Sequence, residues 1–216
     1  MPPVERFICR FAAEPPQEAL PHGAWAQTLQ AEFLAACLRV DAEGQEIGEA
    51  RELRWFPDRT WNGRTYVPVT ARTTTDLELF GYVSFVPGDR DADGPEAEPS
   101  GFRATADFTD ETAERNPDWK IDLCEEVIGR WRGEGDRSAE MTLVWGVPLI
   151  ASARAATAEL AGLAVDQCAL IEDRFTLIAP DAYRSDYLDV KLWDSDGREL
   201  ASESLYVEDD EEDGEG

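Results

Sequence analysis

Asn62-Gly63 is the feature that most narrows what this chain can fold into. Both residues tolerate the positive φ that a two-residue hairpin turn demands, and strand-forming runs stand on either side, Arg51 to Phe56 and Arg64 to Arg72. Counting outward from the turn predicts Trp61 opposite Arg64, Thr60 opposite Thr65 and Arg59 opposite Tyr66. Trp61 and Arg64 then form a candidate cation–π pair. Pro57 and Pro68 face one another in this register, and neither can donate to a ladder, so the pair belongs at an edge or a sharp bend.

An acidic turn with a central glycine is written twice. Asp41-Ala42-Glu43-Gly44-Gln45-Glu46-Ile47 returns as Asp194-Ser195-Asp196-Gly197-Arg198-Glu199-Leu200. A two-residue turn would set Val40 against Ile47 and Trp193 against Leu200, at the cost of opposing carboxylates. A type I turn ending in a left-handed glycine bulge removes that clash, because Asp is favoured first and Gly fourth. Both geometries give hairpins.

Further β-prone runs are Val4 to Phe11, Leu77 to Val86, Phe102 to Phe108, Trp119 to Trp131, Met141 to Ile150, Val165 to Ile171, Phe175 to Ile178, Tyr187 to Trp193 and Glu199 to Val207. In the second of these, Leu77, Leu79, Gly81 and Val83 share one face, and Phe80, Tyr82 and Ser84 the other. Trp25, Leu29 and Phe33 are spaced for a short helix, followed by a strand into Val40. Ala-rich residues from Ser152 to Leu160 predict a second helix. The expected fold is mainly β with one or two short helices, its antiparallel hairpins and meanders packed as sandwich-like layers. The doubled turn allows two similar halves, residues 1–88 and 102–207, joined by an acidic loop or linker at 89–101 and followed by a disordered acidic tail at 208–216.

The formal charge of −26 over 216 residues repels nucleic-acid phosphates and anionic membranes, so direct binding to either is not expected. Met1 to Phe11 carries Glu5, Arg6 and Arg10 without an apolar stretch. Met141 to Ala153 is too short to span a bilayer and contains Pro148. Cys9, Cys37, Cys124 and Cys168 lie far apart without a C-x-x-C spacing. The expectation is a cytoplasmic protein with reduced thiols.

Catalytic and metal signatures are sparse. His22 stands alone, and Gly133-Glu134-Gly135 lacks the third glycine of a dinucleotide loop. Asp89-Arg90-Asp91-Ala92-Asp93-Gly94 begins like a calcium loop, but Ser100 stands where the bidentate Glu belongs and Pro95 at the carbonyl position. Glu125-Glu126 and Glu172-Asp173 read as solvated acids. Neither a cofactor nor a metal is expected.

One strip contrasts with the acidic background. Arg51, Arg54, Arg59, Arg64 and Arg72 stand beside Trp55, Phe56, Trp61 and Tyr66, the composition of an interface core. Arg54, Trp55, Arg59, Trp61, Arg64 and Tyr66 are the candidate partner-binding residues. Alternatively, the aromatics face the core and the arginines pair with acids on neighbouring strands. The functional expectation is a non-catalytic adaptor or regulatory protein docking an unknown protein partner through this strip. Two alternatives stand beside it. One is an acidic nucleic-acid mimic that inhibits a DNA- or RNA-binding protein. The other is a β-rich enzyme or small-ligand binder whose pocket would gather Asp, Glu or Trp residues.

Overall fold

A computed structural model describes residues 20–21, 23–42, 44–88, 98–132, 138–183 and 186–205. The expected first strand, His22, the calcium-like loop start, Gly133-Glu134-Gly135, Cys9 and the acidic tail lie outside the described residues. In chain order the elements are α1 (Gly23–Cys37), β1 (Ala50–Trp55), β2 (Arg59–Trp61), β3 (Arg64–Thr73), β4 (Glu78–Val86), β5 (Ser100–Thr109), β6 (Ile121–Arg132), β7 (Ser138–Pro148), β8 (Ala155–Leu160), β9 (Leu163–Ala169), β10 (Phe175–Asp181), β11 (Leu188–Trp193) and β12 (Glu199–Ser204). They form three antiparallel sheets. Sheet A has the order β1-β3-β4-β5, with β2 also on β3. Sheet B is β10-β7-β6, and sheet C is β12-β11-β8-β9. The expected β-rich, layered fold is what the chain adopts.

Three apolar clusters show the stacking. Leu29 and Phe33 of α1, spaced four apart, pack on Val67, Val69, Leu79, Val83 and Phe85 of sheet A, and Ala36, three residues on, is also buried. The other face of sheet A puts Tyr66 and Tyr82 against Met141, Leu143 and Trp145 of sheet B. Val144, Phe175 and Leu177 leave the far face of sheet B for Ala156, Ala158, Val190 and Leu192 of sheet C. The order is therefore helix, A, B, C. β7 and β10 of sheet B are buried on both faces, which is why they read as largely apolar runs.

The hairpin at Asn62-Gly63 forms in the expected register, with Arg59 on Tyr66, Thr60 on Thr65 and Trp61 on Arg64. Both turn residues have positive φ, 50° and 73°. Pro57 interrupts the edge of sheet A, so β1 and β2 lie end to end along β3. The two faces of β4 separate as expected, Leu79 and Val83 toward the helix and Phe80 and Tyr82 toward sheet B.

The doubled turn takes two forms. Between β11 and β12, Asp194 Oδ1 accepts the amides of Asp196 at 2.8 Å and Arg198 at 2.9 Å, and Gly197 has φ 74°. Trp193 pairs with Glu199, the register of the glycine bulge and not of the two-residue turn. The first copy makes no hairpin. The stripe begun by Trp25 continues through Phe33 and Ala36, so α1 runs to Cys37 where a strand was expected. Residues 45–49 are irregular and dock on the turn after β3, where Glu49 and Thr74 exchange hydrogen bonds.

The second expected helix is instead strand β8. Ala156 and Ala158 point into the B–C core and are fully buried, while Thr157 and Glu159 point away and meet Trp193 and Lys191. Alanine here is selected for close sheet approach, and that packing overrides its helical propensity. β4 and β5, on either side of residues 89–97, pair along their length within sheet A. No helix among the described residues is long and apolar enough to cross a membrane.

Candidate binding cleft

The six strip residues are not brought onto one surface. Trp55 faces α1 and meets Phe33, ring centroids 6.5 Å apart, whereas Arg54 points from the opposite face of the sheet. Tyr66 is buried against Tyr82. Trp61 lies over Gly129 of β6, and a Cβ at that glycine would sit 2.7 Å from its ring. Arg64 donates to the Ser84 carbonyl at 3.2 Å and to the Gly101 carbonyl at 2.5 Å. Arg59 is 1% exposed, and its Nη2 closes on both oxygens of Asp166 in β9. Asp166 also accepts the Ile178 and Gln167 amides, each at 2.8 Å. Trp61, Arg64 and Arg59 are thus structural ties between strands and layers.

Of the six, only Arg54 reaches a cleft of about 840 Å³ at the other end of β3, which Arg72 also lines. Its origin is visible in the strand faces. Arg54 pairs with Thr70, and Arg72 with Glu78, so all four project from the inner face of sheet A. Asp122 projects toward them from β6, on the face that carries Cys124 into the A–B core. At this end the apolar A–B interface thus gives way to a polar mouth. The connection between β5 and β6 closes it with Thr112, Glu114, Asn116 and Trp119, and Arg174 enters from the turn before β10. Arg174 Nη1 donates to the Trp55 carbonyl at 2.8 Å, and Arg72 is ion-paired with Glu114.

Two carboxyls in this mouth are held above their ordinary range. Burial is the main cause for Glu78, and the negative charge of Asp122 adds to it; Arg54, the Thr70 hydroxyl and Arg72 oppose it. Burial likewise raises Asp122 against Arg54 and Arg72. Two smaller openings share walls with the cleft. One of about 470 Å³ shares Val147 and Leu149 and is lined by Ile150, Leu170 and Asp173. Another of about 220 Å³ shares Trp119 and lies between Ile121 and Leu123 of β6 and Glu203 of β12.

Burial pushes the Cys168 thiol up to about 11 and Cys124 well above its ordinary value, which disfavours the thiolate at both. Among the described residues no group of three or more His, Cys, Asp or Glu is placed to hold a metal ion. Fold and site together define a helix-covered stack of three antiparallel sheets with a charged cleft at one interlayer mouth. Comparison with family models, curated proteins and solved structures finds no match to the chain.

Sequence reasoning passed over Glu78, Asp122, Arg174 and Trp119. Their segments are far apart in the chain, and each acid is one of 46. The spacing of Arg72 and Glu78 about the turn at residues 74–76 was the one local signal available.

Proposed function

We propose that the protein is a non-catalytic, cytoplasmic interaction protein, adaptor or regulatory in role, that holds a protein partner at this cleft. Arg54 and Arg72 are the strip residues that line it. One observation carries the reading: guanidiniums, half-buried carboxylates and the Trp119 ring converge at one open mouth from separate segments of the chain. Arginine and tryptophan beside buried polar groups are what interface hot spots use. The unpaired thiols of Cys37, Cys124 and Cys168 support a reducing compartment.

The test is quantitative affinity capture from the native host. A partner held by the full chain and by Arg132→Ala, at the far end of β6, should be lost with Arg54→Ala and Trp119→Ala together. Retention by the double variant removes the cleft from the account. A second reading, a small-ligand binder, is favoured by the meeting of Trp119, Glu78 and Asp122; saturable binding of a sugar or metabolite, with no protein captured, would establish it instead.

A further inference from the structure

We infer that the partner segment is extended and basic, with one Arg or Lys side chain seated between Glu78 and Asp122 and an apolar side chain in the flanking opening beside Trp119. This deepens the interaction reading and rests on it.

Continuity is the first ground. The central cleft shares Val147 and Leu149 with one flanking opening and Trp119 with the other, so the three adjoin along the mouths of the A–B and B–C interfaces. A compact ligand would occupy one opening, whereas an extended chain placing alternate side chains on one face can use all three. The flank beside Trp119 is mainly apolar, with Ile121 and Leu123, whereas the other sets Ile150 and Leu170 beside Ser152 and Asp173; most of the charge lies in the middle.

Charge complementarity is the second ground. Glu52, Glu78, Glu114 and Asp122 line the central cleft, and Asp173 and Glu203 stand in the flanks, against three guanidiniums. Arg72 and Glu114 pair with one another, which leaves Glu52, Glu78 and Asp122 against Arg54 and Arg174, the latter held to the Trp55 carbonyl. Arg54 remains as the main counter-charge for both Glu78 and Asp122. A cation from a partner would relieve the repulsion between these two partly desolvated carboxylates, and Trp119 at the junction offers its ring to the same charge. The formal charge of −26 would steer basic segments toward the molecule from a distance. An acidic segment would meet a surplus of carboxylates at every opening.

Fluorescence anisotropy of the full chain with four pools of blocked nonapeptides tests this, the central residue being Arg, Lys, Gln or Glu and the others randomised. The Arg and Lys pools should bind at least about tenfold more tightly than the Gln pool, with the Glu pool weakest. Glu78→Gln with Asp122→Asn should erase the preference while leaving the thermal melt cooperative. Because burial holds both carboxyls above their ordinary range, acidification should weaken the Arg pool before it neutralises exposed carboxylates.

Equal binding of all pools overturns the inference, as does a preference for Glu. A cationic preference that survives the double substitution also overturns it, assigning the effect to overall charge. If capture of a protein partner depends on Arg54 and Trp119 while the pools show no cationic preference, the cleft reading stands and the basic segment alone is wrong.

Discussion

The Arg59 guanidinium and the Asp166 carboxylate, 107 residues apart, close on one another at a site where their side chains are 0% and 6% exposed. The contact ties sheet A to sheet C around the edge of sheet B, because Asp166 also satisfies the outward amide of Ile178 on β10. Without that carboxylate the edge amide would be buried without an acceptor.

Removing either charge alone strands the other in the interior. Arg59→Met or Asp166→Ala should each lower unfolding free energy by about 3–5 kcal/mol in urea titrations. The double variant should recover part of the loss and not all of it, since the Ile178 and Gln167 amides lose their acceptor. A fully additive double loss would show that the ion pair itself is not the source of the effect.

Gly129 is required by a ring and not by its backbone angle. Gly129→Ala would bring a Cβ to 2.7 and 2.9 Å from Trp61 and should cost about 1–3 kcal/mol by overpacking. In a Trp61→Leu background the same substitution should cost little. Gly162→Ala is the contrasting control. Nothing lies within 4 Å of it, but its φ of 73° should still cost about 1 kcal/mol.

Stability should decline as pH rises from about 4 to about 7. Burial raises Asp58 to about 6, and its Oδ1 is a buried atom with no hydrogen-bond partner. A carboxyl whose folded value exceeds its unfolded value of 3.8 holds its proton more tightly when folded. Its contribution is full below pH 3.8 and is lost as pH climbs through 6. Glu78 and Asp122 are raised in the same direction. The urea midpoint at fixed ionic strength should fall between about pH 4 and about pH 7. Asp58→Asn should flatten that dependence, removing on the order of 2 kcal/mol of it. A midpoint that rose with pH would contradict the sign.

How much of this was legible beforehand depended on range. Asn62-Gly63 set its own register because turn geometry acts over a few residues, and the faces of β4 followed from alternation alone. Ala156 and Ala158 misled because propensity favours helix, and only the neighbouring sheet reveals that small side chains are needed there. The repeated acidic turn misled in its first copy because α1 consumes the residues that would have made one of its strands. The cleft was illegible for a different reason. Arg54, Glu78, Trp119, Asp122 and Arg174 acquire a common role only where sheets A and B part, and no local pattern marks that place.

Sheet B has three strands, and β7 and β10 are buried on both faces while β6 leaves Glu125 and Val127 exposed. Such a layer has no independent existence: opening sheet A exposes Met141, Leu143 and Trp145, and opening sheet C exposes Val144, Phe175 and Leu177. The amides of β7 and β10 should therefore exchange with deuterium only through global opening, setting the slowest limit for the whole chain. The outer strands and α1 can breathe without it, and the charged cleft lies at their margin, where small excursions can widen it while the middle layer stays shut.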